Sequence, residues 1–207
     1  KFDVLLCNLV KLMRDGQEVK MSKRAGTLVM LDDLLKEVGP DVVRFMILTR
    51  RSSENLNFDL KKAVEQSMEN PLFYVQYAHA RIQSVERKAK AHFGDSLLSD
   101  LPESDTLKLS ILERPEELAA IRKLASWPRL LETATEAQEP HRLVFFLMDV
   151  AASFHSLWSA GRGEDQLRFI VEDDMETTQA RLSLLVAIRQ VIRSGLSIIG
   201  VEPAAEM

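Results

Sequence analysis

Residues 70–89 read NPLFYVQYAHARIQSVERKA, and this stretch decides the fold. Asn70 followed by Pro71 predicts a helix start: the amide side chain caps, and proline at the first turn lacks an N–H that would go unpaired there anyway. Leu72, Val75, Ala78, Ile82, Val85 and Ala89 then recur at helical spacing, a continuous apolar stripe that needs partners. The partners are sought downstream. Glu113-Arg114-Pro115 opens a helix ending near Trp127-Pro128, a second runs to about Gln138, and a third begins at Pro140. A last long helix is predicted from about Glu176 to Ile199, with Leu185, Ile188, Ile192, Leu196 and Ile199 as its buried stripe and Gly200 as its stop. Residues 93–113 read as a loop, and Gly161 to Asp174 as a linker. Short connections favour antiparallel neighbours, hence a helical bundle.

Upstream the composition changes. Val10 and Leu12 alternate with Lys11, Asp15-Gly16 follows, and Val19 and Met21 alternate with Lys20. Asp-Gly between alternating segments predicts a two-residue hairpin turn. A short helix is expected from Asp32 to Val38, stopped by Gly39. A second runs from Pro40 to about Thr49, and a third, capped by Asp59, from Leu60 to about Glu69. The fold class is therefore mainly α, a bundle preceded by a small β element. The chain opens on Lys1 and an apolar run, Phe2 to Val10, and reads as the C-terminal piece of a longer protein.

The 207 residues carry 27 Lys and Arg against 31 Asp and Glu, a net charge of −4. This composition excludes a disordered chain, a collagen and a strongly basic nucleic-acid module, but leaves room for local basic patches. A single cysteine, Cys7, forms no internal disulfide, which fits a cytosolic protein. It sits in an apolar stretch and is expected to be buried. No Cys/His set has metal-ligand spacing. The apolar run from Leu143 to Phe154 is broken by Asp149 and falls short of a membrane span.

One motif carries chemistry. Lys20-Met21-Ser22-Lys23 places two ammonium groups three residues apart around a hydroxyl, with Gly26 close behind. Such a loop suits a polyphosphate: the lysines act as point charges on phosphate oxygens, and a lysine aimed at a leaving pyrophosphate lowers the barrier more than it tightens binding. The opposing reading is a solvated basic loop. It is not a Walker loop, because G-x-x-x-x-G-K-[ST] does not occur.

Lys20-Met21-Ser22-Lys23-Arg24 resembles the KMSKS signature of class I aminoacyl-tRNA synthetases. The longer run from Lys20, KMSKRAGTLVMLDDLL, resembles arginyl-tRNA synthetases in particular. So do Asn57-Phe58-Asp59-Leu60, Glu69-Asn70-Pro71, Tyr74 to Arg81, Glu139 to Leu143, Ala152 to His155 and Arg189 to Ile192. The resemblance covers nearly the whole chain. It implies that the β element is the remnant of a Rossmann-type catalytic domain (residues 1–59, with the loop and connector). Residues 60–207 would then be a DALR anticodon-binding domain. It implies an enzyme that joins L-arginine to tRNA(Arg) through arginyl-adenylate, using ATP with Mg2+. Lys20, Met21, Ser22 and Lys23 would bind ATP, and Lys23 and Lys20 would act catalytically. Tyr74, Tyr77, Arg81 and Met207 would contact tRNA, with Arg87 a further phosphate candidate. Tyr74 and Tyr77 have an ordinary alternative as core residues, and Met207 as a frayed tail. His79 and His155 read first as structural histidines. The His-x-Gly-His signature of the same class is absent: the four histidines are His79, His92, His141 and His155. The chain alone is therefore expected to be inactive. Two other classes fit less well. A cysteinyl or methionyl synthetase also carries such a loop, and a non-enzymatic helical interaction module would bind no tRNA.

Overall fold

The structure is a computed structural model that describes residues 4–19, 30–94 and 108–207. Lys20, Met21, Ser22 and Lys23 lie outside the described residues. The Asp15-Gly16 turn joins β1 (Val10–Arg14) to β2 (Gln17–Glu18), antiparallel with Met13 opposite Glu18. Both turn residues have positive φ, 52° and 78°, as a two-residue hairpin of this kind requires. A third strand, β3 (Leu56–Asp59), lies parallel to β1 with Leu12 opposite Phe58, giving the order β2-β1-β3. The chain crosses between β1 and β3 through α1 (Leu31–Val38) and α2 (Pro40–Ile47). Gly39 separates these two helices at φ 87°, a value that disfavours any side chain.

Two apolar cores result. The smaller joins Leu12, Leu34, Val38, Val43, Leu56, Phe58, Leu60 and Ala63. The larger is the bundle core, and α2 reaches it through Phe45 while Val43 serves the smaller one. Thus α2 is seated in both.

After β3 comes α3 (Leu60–Ala63), capped by the Asp59 carboxylate, which accepts from Lys61 and Lys62 N–H. It is a single turn rather than the helix to Glu69 expected from sequence. The cause is Asn70. Its side-chain amide donates to the carbonyls of Ala63 at 3.0 Å and Glu65 at 2.9 Å, so α3's free carbonyls are satisfied without further helix. The same side chain accepts from Leu72 and Phe73 N–H and starts α4 (Pro71–Phe93). A buried side chain thus ends one helix and begins the next.

The bundle continues with α5 (Pro115–Ala125), α6 (Trp127–Glu136), α7 (His141–Gly163) and α8 (Met175–Ile198). The central helix, α7, packs against α4, α5, α6 and α8. By length and composition alone it could cross a membrane. Here it buries Val144, Leu147, Val150, Ala151 and Phe154 in the bundle core. The linker expected from Gly161 is instead the last turn of α7, followed by a 3-10 turn at Asp165–Leu167. Gly161 is a contact residue, not a breaker: a Cβ there would stand 2.9 Å from the Leu167 carbonyl oxygen. Gly195 does the same for α7 and α8, since a Cβ would meet Leu147 Cδ2 at 2.5 Å.

Leu185, Ile188, Ile192 and Leu196 form the expected buried stripe of α8, while Ile199 is only partly buried. Gly200 (φ 70°) closes the helix, with Gly200 N–H donating to Ser197 and Val201 N–H to Leu196, a paired capping pattern that satisfies the last carbonyls. Val201 returns to the core, and Ile199 packs against its edge. At the other end the expectation for Cys7 fails. It is exposed, because residues 4–9 join no strand, and Val4, Leu5, Leu6 and Leu9 are exposed with it.

Candidate nucleic-acid interface

Helix α4 carries Tyr77, Arg81, Ser84 and Lys88 along one face, at steps of four, three and four residues. The Tyr77 hydroxyl accepts from Arg81 Nε at 2.9 Å and Nη2 at 2.5 Å. The guanidinium carbon lies 5.0 Å from the Tyr77 ring centroid and 5.1 Å from that of Trp158 on α7. Arg81 is therefore held between two aromatic rings by its hydrogen bonds and by cation–π attraction.

Two cavities flank this group. One of about 270 Å³ is lined by Tyr77, Ala80, Arg81, Ser84, Arg87, Glu206 and Met207. Across it Arg87 pairs with Glu206 at 3.5 Å. The second, of about 450 Å³, shares Ser84 and is walled by Val85, Trp158, Phe169 and Ile170, with Lys88, Arg162 and Arg168 contributing the positive charge. Aromatic faces beside cationic side chains suit unpaired bases and their phosphates.

The structure thus brings Tyr77, Arg81 and Met207 to one cavity and leaves Tyr74 out of it. Tyr74 packs on His155 at 4.4 Å between ring centroids and joins the bundle core, and burial pushes its hydroxyl pKa up. His155 Nε2 donates to the Tyr74 carbonyl at 3.2 Å, and its ring stacks on Tyr77 at 5.8 Å. His79 is 1 % exposed and faces the chain's own C-terminal residues. Sequence reasoning missed Trp158 as a wall, and with it Ser84, Lys88, Arg162, Arg168 and Glu206. The spacing from Tyr77 and Arg81 to Ser84 and Lys88 could have found the two on α4. Nothing local points from α4 to Trp158. Among the described residues no group of three or more His, Cys, Asp or Glu side chains is placed to hold a metal ion.

Burial holds the pKa of both His79 and His155 below the ordinary histidine value, against smaller opposing contributions from their backbone hydrogen bonds. Both are therefore kept neutral by the fold. Their stabilisation is present above about pH 6.5, the unfolded value, and is lost as pH falls below it. Urea unfolding at pH 7.5, 6.5 and 5.5 should give a free energy that falls between the last two, by at most about 1.4 kcal/mol per pH unit for each histidine. A flat profile would mean that both rings accept protons freely in the folded chain.

A helical bundle with stacking rings and guanidinium groups in solvent-open cavities has the features of a domain that handles unpaired nucleotides. The chain belongs to the DALR anticodon-binding domain family, whose model matches residues 75–207. Over its whole length it is similar to one stretch of several arginine–tRNA ligases. It is 50% identical over 207 residues to the arginine–tRNA ligases of Rhizobium leguminosarum bv. trifolii and Rhodospirillum rubrum. It is 51% identical over 208 residues to that of Roseobacter denitrificans. The chain spans about 35% of the length of each of these relatives. Among solved structures it is similar to a candidate arginyl-tRNA synthetase from Campylobacter jejuni. There the TM-score is 0.81 at 26% identity, covering 98% of this chain and 40% of that one. The arginyl-tRNA synthetase of Thermus thermophilus shares the fold, with a TM-score of 0.67 at 22% identity, over 95% of this chain and 34% of that one.

Proposed function

We propose that this chain is the C-terminal part of an arginyl-tRNA synthetase and that its bundle reads the anticodon loop of tRNA(Arg). The observation that carries the proposal is the convergence of Tyr77, Arg81 and Met207 on one cavity in a DALR-family bundle. Tyr77 and Trp158 offer faces for unpaired bases, while Arg87, Lys88, Arg162 and Arg168 meet phosphates. Tyr74 contributes by packing against His155 beneath Tyr77. In the whole enzyme Lys20 and Lys23 contact the ATP phosphates, Ser22 assists, and Met21 sets the loop. Mg2+ arrives with ATP. L-arginine binds in the remainder of the protein, so this chain alone does not aminoacylate. The functional division falls between residues 1–59 and 60–207, although α3 still packs on the head. The cytoplasm is the expected compartment.

The test is a titration of this chain with tRNA(Arg) transcripts, wild type and anticodon-substituted, at two salt concentrations. The wild-type anticodon should be preferred at both. Tyr77→Ala should weaken wild-type binding by about 5- to 150-fold, the loss of one base–aromatic stack worth about 1–3 kcal/mol. It should narrow the preference while circular dichroism stays unchanged. Equal binding of both transcripts, abolished by salt, would reduce the interface to phosphate attraction and sink the anticodon reading.

A further inference from the structure

Residues 200–204 are fastened on two sides. From α2, Arg44 Nη1 donates to the Gly200 carbonyl at 2.6 Å, and the Asp41 carboxylate accepts Glu202 N–H at 3.2 Å. From α4, Gln76 Nε2 donates to the Glu202 carbonyl at 2.7 Å while Gln76 Oε1 accepts Ala204 N–H at 2.6 Å. His79 Nδ1–H donates to the Ala204 carbonyl at 2.7 Å. Gln76 and His79 therefore pair with the tail backbone much as a neighbouring strand would.

Both side chains are buried, Gln76 at 8 % and His79 at 1 % exposure. The second ring nitrogen of His79 is buried with no hydrogen-bond partner among the described residues. Burying such an atom opposes folding, and apolar side chains of similar volume would fill the same space at less cost. Packing therefore does not explain these residue types, whereas the tail's backbone groups do. Two and three residues beyond Ala204, Glu206 and Met207 reach the wall of the Tyr77–Arg81 cavity.

We propose that Gln76 and His79 are positioning residues of the RNA interface: they fix residues 202–204 and so hold Glu206 and Met207 against Tyr77, Arg81 and Arg87. This inference rests on the anticodon reading above. It ties the last two residues of the chain to the specificity of that site. Neither Gln76 nor His79 touches the RNA; each acts through the tail.

The experiment uses the full 207-residue chain, labelled at its methionine methyl groups, with the Met207 resonance assigned through Met207→Leu. Gln76→Leu fills the same space and removes both hydrogen bonds. The Met207 signal should sharpen and move to the position of a free C-terminal peptide, while that of Met148 on α7 stays in place. The ratio of affinities for wild-type and substituted anticodon stem-loops should fall at least about tenfold, because a mobile tail must be ordered on binding. Deleting residues 205–207 should produce the same fall, and combining the two changes should add nothing, the signature of one shared pathway. Should Gln76→Leu also displace Met148, Ala204→Pro gives the same test from the tail side by removing the N–H that Gln76 accepts. An unmoved Met207 signal in a folded Gln76→Leu or Ala204→Pro chain overturns the proposal, and so do additive losses. A Met207 that responds in a chain showing no anticodon preference supports the positioning of the tail and sinks the anticodon reading instead.

Discussion

Replacing Lys23 by alanine in the complete synthetase is expected to slow arginine activation by about 100- to 1,000-fold, the usual loss when one electrostatic stabiliser of a developing charge is removed. ATP affinity should fall by no more than about tenfold, since a group used mainly in the transition state leaves ground-state binding nearly intact. The expectation comes from the sequence Lys20-Met21-Ser22-Lys23 and the chemistry of a departing pyrophosphate. Pyrophosphate exchange at saturating and subsaturating ATP separates the two quantities. Equal losses in rate and affinity would assign Lys23 to simple phosphate attraction. Lys23→Arg keeps the charge but spreads it over a planar fork, so it should recover only part of the rate.

The largest effect on stability is expected at Arg181. Its side chain lies on α8 with Nε 3.3 Å from Glu117 Oε1, the two side chains being 11% and 6% exposed. Its Nη1 also donates to the carbonyls of Gln166 and Arg168, at 2.7 Å each. Glu117 in turn accepts Arg114 N–H at the start of α5. Arg181 thus ties α8, α5 and the 3-10 turn after α7 in one network. Arg181→Met leaves a buried carboxylate unpaired and two carbonyls short of a donor. It should cost about 3–5 kcal/mol, the range for breaking a buried pair from one side. Chemical denaturation of the 207-residue chain measures it. The double change Arg181→Met with Glu117→Leu should recover much of the loss, because no charge is then left buried. A cost below about 1 kcal/mol for the single change would place the pair among solvent-screened surface bridges.

Features set by adjacent residues were legible in the sequence. Asp15-Gly16 specifies its hairpin because both positions need positive φ, and Asn70-Pro71 specifies the start of α4 because cap and first turn are contiguous. What escaped depends on distant partners. Leu56–Asp59 is too short to announce a strand, and its pairing with Val10–Met13 spans 46 positions. The early end of α3 depends on the Asn70 side chain reaching back to Ala63 and Glu65. Gly161 looked like punctuation because composition cannot distinguish a glycine that ends a helix from one pressed against another backbone. The candidate site divides in the same way. The resemblance alone pointed to Tyr77 and Arg81, where spacing by itself favours core packing and solvated charge. Trp158 reaches the same guanidinium from a helix some eighty residues later, and Tyr74 turned toward His155.

The fastening of Gly200 and Glu202 to Arg44 and Asp41 joins positions 156 and 161 residues apart. Contacts so remote along the chain form only after most of the loop-closure entropy has been overcome by other structure. On a ribosome, α2 emerges long before Gly200 and Glu202, so this clasp adds its share to the joining of head and bundle only after α8 has left the exit tunnel. Weakening that clasp would chiefly hasten opening and leave the rate of folding little changed. With the clasp intact, a peptide fused after Met207 begins its path at the mouth of the Tyr77–Arg81 cavity, where a purification tag would compete with whatever that cavity takes.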